Sequence, residues 1–281
     1  MSQFYIHPKR KTKVVFVQLG SPSEPTTKAL RKYLRKFLGD PRVVDINPWL
    51  WKLVLNFFVL PFRPSKSAKL YARIWDGENF PLITNTRDFT KNVSDELKKI
   101  DPEGHVEVNH AFLLSPPYVN EVYDSWEEDL KKGIGATKLL VIPMFPQYSE
   151  STIASGIDAL AKELSKRVKI PTFEVITNFH RTHAFIDNSV NQVDKKLSEL
   201  LNQGKKIDNL IITFHGMQKR RIVNKGDDYY RHCYETFCLI TNKLKNIKPD
   251  QCMMSFQSRF GSEEWITPYT EEVVKKLISE G

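Results

Sequence analysis

Short apolar runs alternate with amphipathic ones along most of the chain, and the two spacings predict different elements. Residues 13–20, KVVFVQLG, form a β-branched and apolar block stopped by Gly-Ser-Pro, as expected of a parallel strand buried on both faces. Thr26 or Thr27 offers a cap for a helix whose Leu30, Leu34, Phe37 and Leu38 lie on one stripe. Further strands are expected at 105–114, 138–144, 172–177, 209–214 and 251–256. Helical patterns fall between them at 119–132, 151–167, 182–201 and 229–245, and an amphipathic stretch follows Pro268. Alternation of this kind, with strands apolar on both faces, predicts an α/β protein with parallel sheets. Two similar halves are expected, divided as residues 1–125 and 126–281.

Ligands of open α/β sheets bind beyond the carboxyl ends of the strands. Four of those ends read GSP (20–22), PMFPQYS (143–149), FHG (214–216) and SFQSRFG (255–261). None is a phosphate cradle: GxxxxGK[ST] is missing, and no GxGxxG follows the first strand. The commonest use of this fold, nucleotide binding, is therefore disfavoured.

Composition narrows the class without naming it. Apolar residues at 41% and charged residues at 27% match a soluble globular protein and exclude a disordered or collagen-like chain. Net charge is 42 − 33 = +9, which suits nucleic acid, anionic lipid or a polycarboxylate ligand. No RNP-type or helix-turn-helix pattern accompanies it, so nucleic acid is not expected as a partner. The three cysteines Cys233, Cys238 and Cys252 form no CxxC pair and have no fourth ligand for an iron–sulfur cluster. They read as buried thiols in a reducing compartment. The leading residues, MSQFYIHPKRKTK, are polar and basic, unlike a signal peptide. The greasiest stretch, 49–60, carries Lys52 and Asn56 and falls short of the roughly 20 apolar residues a membrane span needs.

His215 is the residue best placed for chemistry. Leu210, Ile211 and Ile212 build the strand, the imidazole emerges at its carboxyl end, and Gly216 lets the chain turn. A neutral imidazole there binds a metal or accepts a proton; the competing reading is a ring that bonds a loop backbone. His180 and His183 lie three apart near a helix start with no third ligand close by, which favours helix-end packing over a metal site. His7 sits in the polar leading stretch. Residues 49–62, followed by Arg63, Lys66 and Lys69, have two readings. One is an ordinary core helix; the other is an exposed apolar lip rimmed by cations, suited to a flat carboxylated ligand or a bilayer surface.

The motifs VQLGSP, PFRPSKSAKLYARIW, PMFPQYSEST, TFHG, KGDDYYRHC and SFQSRFGSEEWITPYT, in this order and spacing over residues 13–280, resemble ferrochelatase. PRVVD at 41–45 and GDDY at 226–229 fit the proteobacterial form. The resemblance implies two Rossmann-like domains with a porphyrin cleft between them, the first carrying an apolar lip and the second the histidine motif. It implies a lyase of late haem biosynthesis that inserts Fe²⁺ into a porphyrin, with no cofactor beyond that substrate iron. On this reading His215 takes pyrrole protons or ligates the metal, opposite a partner carboxylate. Porphyrin contacts are expected from Leu19, Trp49, Leu53, Phe57, Pro146, Gln147, Tyr148 and Ser149. Arg259 is read as structural, paired with Glu263 or Glu264. The implied location is the cytoplasm, with peripheral contact to the inner membrane.

The chemistry suits these residues. A planar macrocycle hides its nitrogen lone pairs in the ring plane, so a site that binds a bent ring favours the transition state. Two N–H protons leave as the metal arrives, which requires a base, and imidazole serves both as base and as Fe²⁺ ligand. Three departures from the family pattern stand out. Leu113 and Leu114 replace an Arg-Tyr or Ser-Tyr pair, and Gln218 stands where proline usually follows the histidine motif. The chain stops at Gly281, before the strand and turn expected to bring the carboxylate, so the second domain is expected to be incomplete. A haem-binding relative without insertion activity, and a chelatase for another divalent metal such as cobalt, are the alternatives.

Overall fold

The computed structural model describes residues 11–133 and 136–280. His7, most of the basic leading stretch and Gly281 lie outside the described residues. The chain divides into two compact units, one running to Phe145 and resuming over Glu150–Thr177, the other comprising Pro146–Ser149 and the chain from Asn178 onward.

The first unit is built on a four-stranded parallel sheet of β1 (Thr12–Gln18), β2 (Val106–Phe112), β3 (Lys138–Pro143) and β4 (Thr172–Val175), in the order β2-β1-β3-β4. β1 is paired on both edges, Val15 facing Asn109 on one side and Val141 on the other. That central place explains its unbroken apolar run: Val14, Val15, Phe16 and Val17 are all buried. One face is covered by α5 (Val119–Lys131) and α6 (Ser155–Leu164), whose Tyr123, Trp126 and Leu160 pack on Val15, Val17, Leu139 and Val141. Against the other face lies α4 (Pro81–Ile100), with Phe89 edge-on to Phe16 at 5.1 Å. α1 (Thr27–Leu38) starts where the sequence places it, Thr26 accepting the Ala29 N–H at 3.2 Å, and buries Leu30, Leu34 and Leu38.

Strand pairing moves the division of the chain. Residues 126–177 were expected in the second domain, yet β3 matches β1 from Thr12↔Lys138 to Val17↔Pro143, and β4 extends the same sheet. Hydropathy identifies a strand but not the sheet it joins. α4 was not expected at all. Its buried positions include Thr86 and Thr90 rather than large aliphatic side chains, each hydroxyl donating to the carbonyl four residues back at 2.7 Å. Such a stripe is nearly invisible to a hydrophobic count.

The second unit pairs β5 (Leu210–His215) with β6 (Cys252–Gln257), again parallel. Around them lie α7 (His183–Asn202), α8 (Lys219–Val223), α9 (Tyr229–Thr241) and α10 (Thr270–Glu280). α7 packs Ile186 and Val190 on Ile240 and Ile212, while Met217, Cys233, Phe256 and Ile266 form a second cluster below the strand ends.

Candidate functional site

His215 is the last residue of β5 and is exposed. Its Nδ1 lies 2.8 Å from the Gly216 carbonyl oxygen. A carbonyl only accepts, so Nδ1 carries the proton and the lone pair is left on Nε2. The turn that sets this bond is tight. Gly216 donates its N–H to the Gln257 carbonyl at 2.7 Å, and a Cβ at that position would lie 2.8 Å from the same oxygen and 2.9 Å from the Trp265 ring. Below the turn, the hydroxyl of Tyr229, the first residue of α9, lies near the main chain of His215. Burial, with Cys233 alongside, pushes the Tyr229 phenol up, so a neutral group supports the histidine from below. The Cys233 thiol is likewise pushed up to about 12 by burial. Cys233 and Cys252 are buried and Cys238 half-buried.

The neighbouring strand end is strained. Ser258, next to Gln257 and one residue past β6, has φ of 70°, a left-handed conformation that costs an ordinary side chain about 1–2 kcal/mol. Arg259 does not pair as expected. Its guanidinium lies over the Tyr269 ring at 4.4 Å, while Glu263 engages Arg220 at 3.1 Å and Glu264 engages Lys219 at 2.8 Å. The helix that follows the histidine turn, α8, delivers both of those cations.

Pro146, Gln147, Tyr148 and Ser149 follow β3 in sequence but belong to the second unit. The first three are half-buried and Ser149 is buried. Their path is held by α9: His232 accepts the Tyr148 N–H at 3.1 Å, and Thr236 accepts from Gln147 Nε2 at 3.0 Å. One face of α9 therefore touches both candidate pieces of this unit, through Tyr229 at the histidine and through His232 at the PQYS segment. Neither residue stands out from periodicity; the KGDDYYRHC motif that contains both is the only signal. His180 and His183 part company, the first 2% exposed and the second on the surface.

In the first unit, residues 48–71 send apolar side chains both into the core and outward. α2 (Pro48–Val54) starts on Asn47, whose side chain accepts the Trp49 and Leu50 N–H groups. A π-helical turn, Leu55–Val59, leads into α3 (Leu60–Tyr71). The wider turn is demanded by Pro61, whose ring would strike the Phe57 carbonyl of a regular α-helix. Leu60 reaches five residues back to Leu55 O, and Asn56 Nδ2 donates to the Lys52 carbonyl at 2.8 Å. Pro64 similarly robs the Leu60 carbonyl of its donor, and Arg31 Nε supplies one at 3.2 Å. Leu55 and Leu60 sink into the cluster of Tyr33, Leu34 and Leu38. The remaining large apolar side chains are exposed: Trp49 by 78%, Leu53 by 57%, Phe57 by 67%, with Leu50, Phe58 and Phe62 beside them. Arg63, Lys66 and Lys69 are exposed behind.

Two contacts fasten the approach to this lip. Arg42 forks onto Asp158 of α6 at 2.9 and 3.1 Å, holding that carboxyl below the usual carboxylate range, and Ser155 Oγ donates to Asp40. Leu19 is half-buried just past β1, its carbonyl taken by Leu114 N–H at 3.0 Å. The Leu113-Leu114 pair thus contributes main-chain pairing, since Leu113 N–H likewise reaches Gln18 O at 3.0 Å. No helix among the described residues is long and apolar enough to cross a membrane.

A family model described as ferrochelatase matches residues 11–281. Among curated relatives, the ferrochelatase of Idiomarina loihiensis is 38% identical over 271 residues, covering 96% of this chain and 71% of its own length. That of Marinobacter nauticus is 37% identical, covering 95% and 69% respectively. The ferrochelatase of Actinobacillus pleuropneumoniae serotype 5b is 36% identical, covering 96% and 79%.

Proposed function

Because the chain belongs to the ferrochelatase family, whose members insert ferrous iron into a porphyrin during haem biosynthesis, we propose that the Nε2 lone pair of His215 serves that reaction here. The reaction converts one porphyrin and one Fe²⁺ into haem and two protons, both leaving from pyrrole nitrogens. Nε2 takes a proton, hands it to solvent at the exposed ring, and is free again for the second; the alternative use of that one lone pair is to ligate the arriving metal. The observation that carries this reading is the 2.8 Å contact between Nδ1 and the Gly216 carbonyl. It fixes the tautomer and turns the basic nitrogen outward.

Trp49, Leu53 and Phe57 offer the exposed aromatic and aliphatic surface a flat macrocycle requires, with Leu19 at the end of β1 in the same unit. Pro146, Gln147, Tyr148 and Ser149 add backbone and side-chain polar groups from a segment with no regular structure of its own. Leu50, Phe58 and Phe62, with the cations behind them, support peripheral contact with an anionic bilayer. Three free cysteines, Cys233 and Cys252 buried and Cys238 half-buried, support a cytoplasmic location.

The decisive experiment replaces the histidine. His215→Ala is expected to slow Fe²⁺ insertion by roughly 10²–10⁴-fold. Porphyrin affinity, followed by fluorescence quenching, should stay within about tenfold, because apolar contact dominates binding of such a ligand. Near-normal turnover in this variant would show that the proton goes elsewhere.

A further inference from the structure

Helix α9 carries a second histidine that plays no part in the scheme above. The His232 ring stacks on that of His180, centroids 3.8 Å apart and planes 20° from parallel, and both residues are buried. His232 Nδ1 accepts the Tyr148 N–H at 3.1 Å. One turn on, Thr236 Oγ1 accepts from Gln147 Nε2 and donates to the His180 carbonyl at 3.2 Å. The Pro146 carbonyl accepts the Phe179 N–H at 3.0 Å. Residues 146–149 lie in no helix or strand, so bonds of this kind set their path. We propose that neutral His232 is the positioning residue of the Pro146–Ser149 segment, holding it for porphyrin by accepting the Tyr148 amide. This rests on the reading that the segment contacts porphyrin.

The groups around the ring show why neutrality matters. Nε2 faces Arg231 Nη2 at 3.2 Å, a group that only donates, just as the amide at Nδ1 does. With Nδ1 accepting, the neutral ring carries its one proton on Nε2, already against the guanidinium; an imidazolium would add a second hydrogen, at Nδ1, and set it against the Tyr148 amide. The other charged or titratable groups nearby are His180 on the facing loop, Asp228 at the N-cap of α9 and Glu235 on α9 itself. Both carboxylates are already engaged, Asp228 by Arg231 at 2.9 Å, Glu235 by Arg231 at 2.9 Å and by His180 Nε2 at 2.8 Å, with Arg181 at 3.8 Å. Burial first, then His180 and Arg231, hold the His232 proton affinity below the ordinary imidazole value. The segment is therefore held above the pKa of His232 and released as pH falls through it, in a window below about 6.5.

The test compares His232→Asn, which keeps an accepting oxygen and cannot titrate, with His232→Leu, which removes the acceptor. Three quantities are read in the full chain: hydrogen exchange of a peptide covering 146–149, KM for porphyrin, and the pH dependence of both. His232→Leu should speed exchange by about tenfold, the loss of one hydrogen bond. It should raise KM severalfold more than it lowers kcat. His232→Asn should behave as the parent near neutrality but lack its acid limb. Unchanged exchange in His232→Leu overturns the proposal, as does a surviving acid limb in His232→Asn, which decides the matter even if the leucine variant folds poorly. Tyr148→Ala separates the two readings. If it raises KM while His232→Leu does not, the positioning role is overturned and the contact reading stands. If exchange responds as expected but neither variant moves KM, the contact reading falls and the role in the reaction with it.

Discussion

A methyl group at position 216 would collide with the Gln257 carbonyl and the Trp265 ring, so Gly216→Ala must push the end of β5 away from β6. Overpacking of this kind costs about 1–3 kcal/mol. The loss of insertion activity should exceed the loss of stability, because the displaced turn takes the carbonyl that orients His215 with it; thermal melts and turnover, measured together, check this. Acid sensitivity is a second residue-scale consequence. Burial lowers the pKa of His232 and of half-buried His110, the latter helped by Arg87. A group whose folded-state pKa lies below its unfolded value takes up its proton preferentially when unfolded, so stability is full above about 6.5 and falls as pH drops. Urea midpoints should decline from pH 7 to pH 5, and less steeply in His232→Asn; identical slopes would remove His232 from the account. The place of His215 at a strand end was legible in sequence because strand, histidine and glycine are adjacent. His232 was not, since its partner lies 84 residues away and no periodicity links them. Arg259 was misread for the opposite reason: nearby carboxylates looked sufficient, yet Arg220 and Lys219 reach them and leave the guanidinium to Tyr269.

At the scale of elements, most strands and helices were visible in the sequence, while the use of the apolar residues at 49–62 was not. A helical stripe looks alike whether it faces a core or faces outward. Here both occur: Leu55 and Leu60 go inward, while Trp49, Leu53 and Phe57 stay out. Leu53→Asp with Phe57→Asp should therefore leave the fold intact, since neither side chain is buried. Porphyrin affinity should drop by tenfold or more, at about 1.5–3 kcal/mol for each large apolar side chain that binding would bury. A double variant with unchanged porphyrin affinity and an unchanged melt would remove these two positions from the ligand's surroundings.

For the molecule as a whole, the sequence disclosed the α/β class, the parallel sheets and the family, but not the point of division. Strand partnership is a long-range property: β3 joins β1 across more than a hundred residues, and only the register reveals it. Net charge acts at this same scale. With +9 overall and Arg63, Lys66 and Lys69 exposed behind the lip, anionic vesicles should bind the protein. Each basic residue near such a surface contributes about 1 kcal/mol. Screening over about 8 Å at physiological salt should weaken that binding as ionic strength rises. Co-sedimentation that is indifferent to salt, or equal on neutral vesicles, would exclude the electrostatic part.

The π-helical turn at Leu55–Val59 adds one residue to a helix that would otherwise run straight through. Each residue of an α-helix advances the direction of its side chains by about 100°. One extra residue in a regular α-helix would swing α2 by about that angle against α3, whereas the wide turn absorbs it, the Leu60 N–H reaching Leu55 O five residues back. Without the widened turn, Trp49 and Leu53 would point about 100° away from their present direction relative to Phe62, with every apolar residue still present. Alignment of the lip is thus a matter of phase, set by the number of residues in one turn rather than by their hydrophobicity.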